Sequence, residues 1–298
     1  MRRLLPVTDA SPAASLDTLD GLAEEYAFPD PAPHRWLRAN MVSSLDGAAR
    51  LDGLSAGLSS AADKRIFGVL RALADVVLVG AETVRAEGYR PARARAQFAE
   101  RRAAQGQPPA AAIAVVSSRL ELDLSAPLFT EPTVRTVILT VDDAPAEARR
   151  AAERVADVVP IGTGRVDLAA AVEWLAAERG WSRQLCEGGP RLLGQLVADG
   201  LVDELCLTVA PLMAAGDAPR IAHGPTILPG GPPTGPLGPD AEGLRPELLE
   251  PVALLEEAGF LFARYVRRAA ARDDVAPEGS APDGSAPDGS SEDAAWGG

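Results

Sequence analysis

The chain predicts an α/β protein with a mostly parallel central sheet, flanking helices and an antiparallel hairpin closing one edge. Three features of the sequence carry that expectation. Short apolar runs alternate with amphipathic stretches long enough to be helices, the mark of strand–helix–strand units. Several of those amphipathic stretches end in glycine, as helices commonly do. Near the end the alternation gives way to two strand-like runs on either side of Glu257-Ala258-Gly259, the form of a hairpin.

The elements follow in order. SLDTLDGLAEEYAF is an amphipathic helix with Leu16, Leu19, Leu22 and Tyr26 on one face. WLRANMV is a strand, and it runs into a small polar loop, NMVSSLDGAARLDGLSAGLSS, much longer than the roughly 2–6 residues of an ordinary connection. SSAADKRIFGVLRALA is a helix capped by Ser59 or Ser60, with Ile66, Val69, Leu70 and Leu73 inward. DVVLVG is a buried strand ending at Gly80, followed by a charged helical stretch. Then come the strands AAIAVVSS and RTVILTV, the helix APAEARRAAERVA, the strand DVVPIG and the helix DLAAAVEWLAAERG. The strand RQLCEGG, the helix PRLLGQLVADG and the strand DELCLTVAP lead to the hairpin PVALLEEAGFLFARYVRR.

Two stretches are biased. Residues 224–246 hold seven prolines and six glycines and must be irregular. Residues 276–290 repeat APEGS and APDGS, which has nothing to bury in a core. The expected organisation is an N-terminal extension over residues 1–35, one domain over 36–268 and a disordered acidic tail over 269–298.

Composition excludes several function classes. The net charge is −13, but seven acids and no base lie from Asp273 onward, so residues 1–272 carry only −6. No clustered basic face is available for nucleic acid. No apolar run approaches the ~20 residues that span a bilayer. The opening MRRLLPVTDASPAAS is too short in apolar residues for a signal peptide, so the chain reads as cytoplasmic. Cys186 and Cys206 sit in apolar runs and read as buried thiols. His34 and His223 have no metal-ligand spacing, so no metal is expected.

Two stretches suggest chemistry. In LCEGGPRLLG a buried strand ends, two glycines follow, and Pro190 opens a helix. That arrangement offers free N–H groups and a positive dipole end to a phosphate, with no Cβ in the way. In VLVGAETVRAEGYRP the strand stops at Gly80, and Thr83 and Glu87 lie one helical turn apart. In an open α/β sheet, ligands bind beyond the carboxyl ends of strands, where these loops and the one after Val42 converge.

Together the segments MVSSLDGAAR, GLSSAADKRIFGVLRALADVVLVGAETVRAE and LCEGGPRLLGQLVADGLVDELCLTVAP resemble the reductase domain of riboflavin biosynthesis. That family has a dihydrofolate-reductase-like fold. It occurs as the C-terminal half of a bifunctional pyrimidine deaminase–reductase and as stand-alone proteins. The resemblance covers residues 36–267 and makes 36–268 a reductase domain. It implies NADPH as cofactor, a homodimer, and reduction of the ribosyl group of an aminouracil ribosylamine phosphate or a related heterocycle. By position, it implies cofactor contacts at Ser44, Gly80, Thr83, Glu87, Ser118, Gly162, Glu187, Gly188, Gly189, Pro190 and Arg191. Substrate contacts are implied at Asn40, Ser44, Ser55, Ser59 and Arg71, with Arg71 facing the substrate phosphate. Asp46 and Glu87 are the candidate catalytic residues.

The chain also departs from the family. Where family reductases carry TVxADDPxLTxR, it has TVRAEGYRPARAR, which puts Glu87 for aspartate and leaves Arg90, Arg93 or Arg95 to grip the substrate. The HxE and PCxxC patterns of the deaminase half do not occur. NADPH is favoured over NADH by Ser117, Ser118 and Arg119 at a strand's carboxyl end, with Arg165 a further cation for a 2′-phosphate. A pterin-type reductase is a weaker alternative, because Asp63 stands too near its helix start to reach a pocket floor. A non-catalytic NADP-binding descendant is the other.

Overall fold

The computed structural model describes residues 1–6, 15–30, 33–224 and 248–267. The Pro-Gly-rich stretch after Gly224 and the acidic repeat tail lie outside them. Strand β1 (Arg2–Leu5) and helix α1 (Leu19–Glu25) come first, then β2 (Trp36–Ser43), α2 (Ala61–Leu73), β3 (Val76–Gly80) and α3 (Ala81–Ala86). Next are α4 (Ala99–Ala104), β4 (Ala112–Val116), α5 (Pro127–Thr130), β5 (Val137–Thr140), α6 (Ala146–Glu153) and β6 (Asp157–Pro160). The fold then continues through α7 (Leu168–Ala177), β7 (Arg183–Cys186), α8 (Pro190–Ala198), β8 (Glu204–Val209), β9 (Leu249–Glu257) and β10 (Phe260–Arg267).

Among the described residues ten strands form one sheet in the order β1-β9-β10-β8-β2-β7-β3-β4-β5-β6. Every pairing from β8 to β6 is parallel, and those from β1 to β8 are antiparallel. The parallel strands read as continuous apolar runs because both faces are covered; Val76 to Val79 and Val137 to Leu139 are wholly buried. Helix α2 starts where Ser60 accepts the Asp63 N–H at 3.1 Å, and Ile66, Val69, Leu70 and Leu73 face the core. The hairpin turn places Ala258 at φ +53° and Gly259 at φ +83°, the left-handed pair that a two-residue loop with matching twist requires.

The sequence reading did not anticipate β1. Four residues with two arginines make a weak strand signal, yet Arg2 pairs in register with Glu256 and the guanidinium meets that carboxylate at 2.5 Å. The expected N-terminal extension thus contributes the edge strand of the sheet, and Arg3 adds an ion pair to Glu25 at the end of α1.

The antiparallel and parallel halves meet around one buried carboxylate. Glu204, at the start of β8, is fully buried against Arg38 of β2 at 2.8 Å and Arg264 of β10 at 2.5 Å. Trp36 Nε1 donates to the same carboxylate at 2.8 Å. The guanidiniums also serve α1, with Arg38 donating to Tyr26 O and Ala27 O, and Arg264 donating to Glu25 O. Those carbonyls have no partner inside the helix, so two arginines of the sheet close its C-terminal end.

Burial alone would raise the Glu204 pKa, but Arg38 and Arg264 overcome it and hold the carboxyl below its ordinary value. A group with a depressed folded pKa contributes fully above its unfolded value and loses the contribution as pH falls through the folded one. Stability should therefore hold down to about the ordinary glutamate value of 4.5 and decline below it. Glu204→Ala strands the buried Arg38 guanidinium and the half-buried Arg264 one, and we expect a loss of about 3–5 kcal/mol in urea unfolding at pH 7. A loss under about 1 kcal/mol, typical of an exposed pair, would mean that the cluster is solvated.

Candidate active site

A cavity of about 390 Å³ opens at the carboxyl ends of β2, β3 and β7, within the range of small-molecule sites. Its walls come from the end of β2, the long loop after it, one face of α2, the end of α3 and the turn into α8. Of the residues expected from sequence, it gathers Asn40, Ser55, Ser59, Arg71, Thr83, Glu87, Glu187, Gly189 and Pro190.

One ion cluster shapes the wall between α2 and β7. Arg71 donates from Nε and Nη2 to the two carboxylate oxygens of Glu187, both at 2.7 Å. The Tyr89 hydroxyl donates to the same carboxylate. The guanidinium is stacked between the rings of Phe67 and Tyr89, at 4.4 and 4.9 Å from their centroids. Burial opposes the charge on Arg71, yet Glu187 raises its pKa above the ordinary value. Burial likewise pushes the Tyr89 phenol well up, so it remains a donor. The Glu187 side chain is only 4% exposed. Both charges of the pair are thus committed to each other, which leaves a rigid wall rather than a free cation and a free carboxylate.

Glu87 and Asp63 act as struts. Glu87, the C-cap of α3, accepts the Ser55 N–H at 3.0 Å and so ties the long polar loop across the cavity. Asp63 lines the cavity and accepts the hydroxyls of Ser59 at 2.5 Å and Thr208 at 2.7 Å. Asp63, expected to stand too early in its helix to reach a pocket floor, is on the cavity wall because α2 runs along the cavity from its first turn. Of the arginines expected to grip the substrate, Arg90 is on the same walls, and sequence reasoning missed two further cations there, Arg50 and Lys64. Lys64 was signalled by lying one residue after Asp63 and seven before Arg71.

The Gly-Gly turn fits a dinucleotide phosphate. Gly188 has φ +81°, which favours glycine, and its carbonyl accepts the Gly80 N–H at 2.8 Å. A Cβ on Gly189 would stand 2.5 Å from Thr83 Oγ1. No side chain caps α8, so the N–H groups of its first turn have no partner within the helix. Beside that turn lies a cavity of about 190 Å³, lined by Gly80 and Arg191 and sharing Thr83, Gly189 and Pro190 with the first. The two together make an elongated site with an uncapped helix end between its parts, suited to a diphosphate.

Ser44, Asp46, Ser118, Gly162 and Gly188 line neither cavity. Asp46 is exposed and occupied: its carboxylate accepts the Ser44 hydroxyl at 2.5 Å and the N–H groups of Ala214 and Ala215 at 3.0 and 2.7 Å. Those bonds, that from Ser44 foremost, hold its pKa down to about 2. These bonds make Asp46 a clasp between the loop after β2 and the segment after β8. Ser44 is its buried partner and also accepts the Ala48 N–H. Gly162 turns the chain after β6 at φ +92°, where a Cβ would meet Arg165 O at 2.6 Å. Ser118 follows β4, and the neighbouring Ser117 hydroxyl accepts the Leu120 N–H. Both lie outward of β3 in the sheet, away from the gathered residues.

The Arg71–Glu187–Tyr89 cluster has a graded consequence. Tyr89→Phe removes one donor and should cost about 1–3 kcal/mol in chemical denaturation. Arg71→Ala leaves a buried carboxylate without its cation and should cost about 3–5 kcal/mol. Equal, small losses for the two variants would show that Glu187 is solvated.

Residues 35–229 match the RibD C-terminal domain family. The 2,5-diamino-6-ribosylamino-4(3H)-pyrimidinone 5′-phosphate reductase of Archaeoglobus fulgidus is 33% identical over 191 residues, covering 63% of this chain and 86% of that protein. The protein of the same name from Methanothermobacter thermautotrophicus is 31% identical over 191 residues, with coverages of 63% and 83%. A solved structure of a pyrimidine reductase-like protein from Corynebacterium diphtheriae has a TM-score of 0.66 at 24% identity, covering 79% of this chain and 92% of that one. That likeness concerns the fold, the α/β architecture with a mostly parallel sheet and an antiparallel edge expected from the sequence. With most of the sheet inside the matched region and both archaeal relatives covered over more than four-fifths of their length, the chain belongs to the RibD C-terminal domain family.

Proposed function

We propose that this chain is an NADPH-dependent pyrimidine reductase of the riboflavin pathway, acting on the ribosyl C1′ of a ribosylaminopyrimidine phosphate such as an aminouracil. Family membership and the names of the archaeal relatives support the reaction class. The observation that carries the reading is the continuity of two cavities across the Gly189 turn, one beside the uncapped α8 and one walled by Glu87, Lys64 and the Arg71–Glu187 pair. NADPH, when bound, supplies the hydride. Gly189, Pro190 and Arg191 would hold its diphosphate, with Thr83 at the junction of the two cavities.

The chain's own task is mostly placement, because reacting carbons must sit about 3–3.5 Å apart for transfer. Reduction of an imine carbon also needs a proton at nitrogen; of the four carboxylates on the cavity wall, Asp63, Glu82, Glu87 and Glu187, Glu87 is the one proposed to relay it through water. Arg71 is committed to Glu187 and Arg50 lies 3.8 Å from the Glu82 carboxylate, so Lys64 and Arg90 would meet a substrate phosphate there. A homodimer and a cytoplasmic location remain part of the proposal, on the resemblance alone. No helix among the described residues is long and apolar enough to cross a membrane.

Glu87→Gln keeps size and removes charge. It should leave NADPH affinity, read by nucleotide fluorescence, within about twofold while turnover falls on the order of 10²-fold. Undiminished turnover would remove Glu87 from the mechanism, and cofactor binding by the parent without any turnover would favour a non-catalytic NADP-binding protein. Gly189→Ala should weaken NADPH at least tenfold, on the order of 1.4 kcal/mol, because a methyl group would crowd Thr83 and the diphosphate path. Unchanged affinity would make the turn a mere connection. Sedimentation equilibrium should report a dimer; a monomer at all concentrations would remove that part of the proposal.

A further inference from the structure

Three of the four carboxylates on the main cavity wall already have a task. Glu187 takes three donors, two of them from a cation. Glu82 lies 3.8 Å from both Arg50 and Arg191. Glu87 ties down the polar loop through the Ser55 N–H. Asp63 is different. Among the described residues its side chain meets two neutral hydroxyls, Thr208 on Oδ1 at 2.7 Å and Ser59 on Oδ2 at 2.5 Å. A carboxylate has about four acceptor positions, so one remains on each oxygen. The hydroxyls hold both oxygens in place, Thr208 from a buried position on β8, and the half-buried carboxylate lines the cavity. It is a two-pronged acceptor fixed before any ligand arrives.

Its place in the fold matters as much as its chemistry. Thr208 holds Asp63 over β8, whereas Thr83 and Glu87 lie on and just after the helix that follows β3. The sheet order is β8-β2-β7-β3, and three spacings of about 4.8 Å put some ~14 Å between those strands. Asp63 and Thr83 therefore stand on opposite walls. Thr83 also lines the cavity beside the uncapped α8, so on the proposed function the reacting C1′ belongs at that end. The pyrimidine then extends toward Asp63. In a 6-ribosylaminopyrimidine, N3 stands across the ring from C6, with C2 beside it, and this edge leads.

Substituents at C2 decide what that edge offers. With an amino group at C2 and a proton on N3, two N–H donors point the same way and match the two oxygens of one carboxylate, a charge-assisted pair. With a carbonyl at C2, as in a uracil, one of those positions turns an oxygen lone pair toward the carboxylate and leaves an acceptor unmet. We propose, resting on the reductase reading, that Asp63 is a specificity-determining residue that reads the C2 substituent and selects a 2-aminopyrimidinone over the corresponding uracil.

Two free rings that differ only at C2 test this on the full chain: 2,6-diaminopyrimidin-4(3H)-one and 6-aminouracil, titrated separately by calorimetry. The parent should bind the 2-amino ring at least about tenfold tighter, since a polar site discriminates strongly against a ligand that leaves its groups unpaired. Asp63→Asn keeps the size and turns one acceptor into a donor, so the ratio should fall to within about threefold. Equal affinity of the parent for the two rings, preference for the uracil, or no binding of either overturns the proposal, and none of these outcomes needs a variant that folds. Equal weakening of both rings in Asp63→Asn would also overturn it, because a merely structural aspartate would act on both alike. NADPH oxidation with the two ribosylated phosphates separates this proposal from the reading beneath it. Turnover of both with equal kcat/KM refutes the selection by Asp63 and leaves a reductase. Ring preference intact with turnover of neither refutes the reductase and leaves Asp63 as the residue that reads C2.

Discussion

Glu204 and its two arginines hold together the parts on which the rest of the molecule is built. The carboxylate lies where β8 changes allegiance, parallel to β2 on one side and antiparallel to β10 on the other. Arg38 comes from the first side and Arg264 from the second, and the same guanidiniums cap α1. A buried pair is not by itself evidence of net stability, since apolar replacements can do as well. Here its geometry does something an apolar cluster cannot. Directional bonds set the register of three strands and the seat of one helix at the same point.

That junction sets the position of the cavity. The parallel strands β2, β7 and β3 must end at one edge, which brings Asn40 in the second half of β2, Glu187 just after β7 and Thr83 in the helix after β3 to it. The antiparallel strands reach the same place differently. Thr208 on β8 holds Asp63 of α2, and the segment after β8 is stitched along the edge by Leu212 O to Leu45 N, Pro219 O to Ala49 N and Pro190 O to His223 N. Asp46 reinforces that stitching by accepting two backbone N–H groups from the same segment. The long loop after β2 is therefore bound at both ends, to Asp46's partners and to Glu87.

Within the site, charge is arranged to be fixed before any ligand arrives. Glu187 sits one residue past β7 and receives three donors, so neither it nor Arg71 needs to reorganise on binding. Preorganised dipoles and charges in a dry site act more strongly than mobile ones in water. Tyr89, standing where the family pattern has proline, supplies one of those donors and half of the stack around Arg71. The departure from the family pattern is thus absorbed into the wall.

The sequence by itself determined the strands, most helices (α5 excepted) and the hairpin of the body, because each is a local pattern: apolar runs for strands buried on both faces, a 3.6-residue stripe and a serine cap for α2, a proline opening α8. It also determined which loops gather, since parallel strands deliver their ends to one edge; Thr83, Glu87 and Gly189 follow from that, while Asn40, Ser55 and Ser59 came from the family resemblance. Only the tertiary structure decided what each side chain does there. Strand β1 pairs with a partner more than two hundred residues away, so no local pattern announces it. Asp46 lies in the most family-like loop, yet its carboxylate turns outward to N–H groups of a segment distant in sequence. Arg71 and Glu187 are each legible as binding residues, but their pairing cancels both charges. Side-chain charge is a property of a residue; its availability is a property of its neighbours, and those are set by the fold.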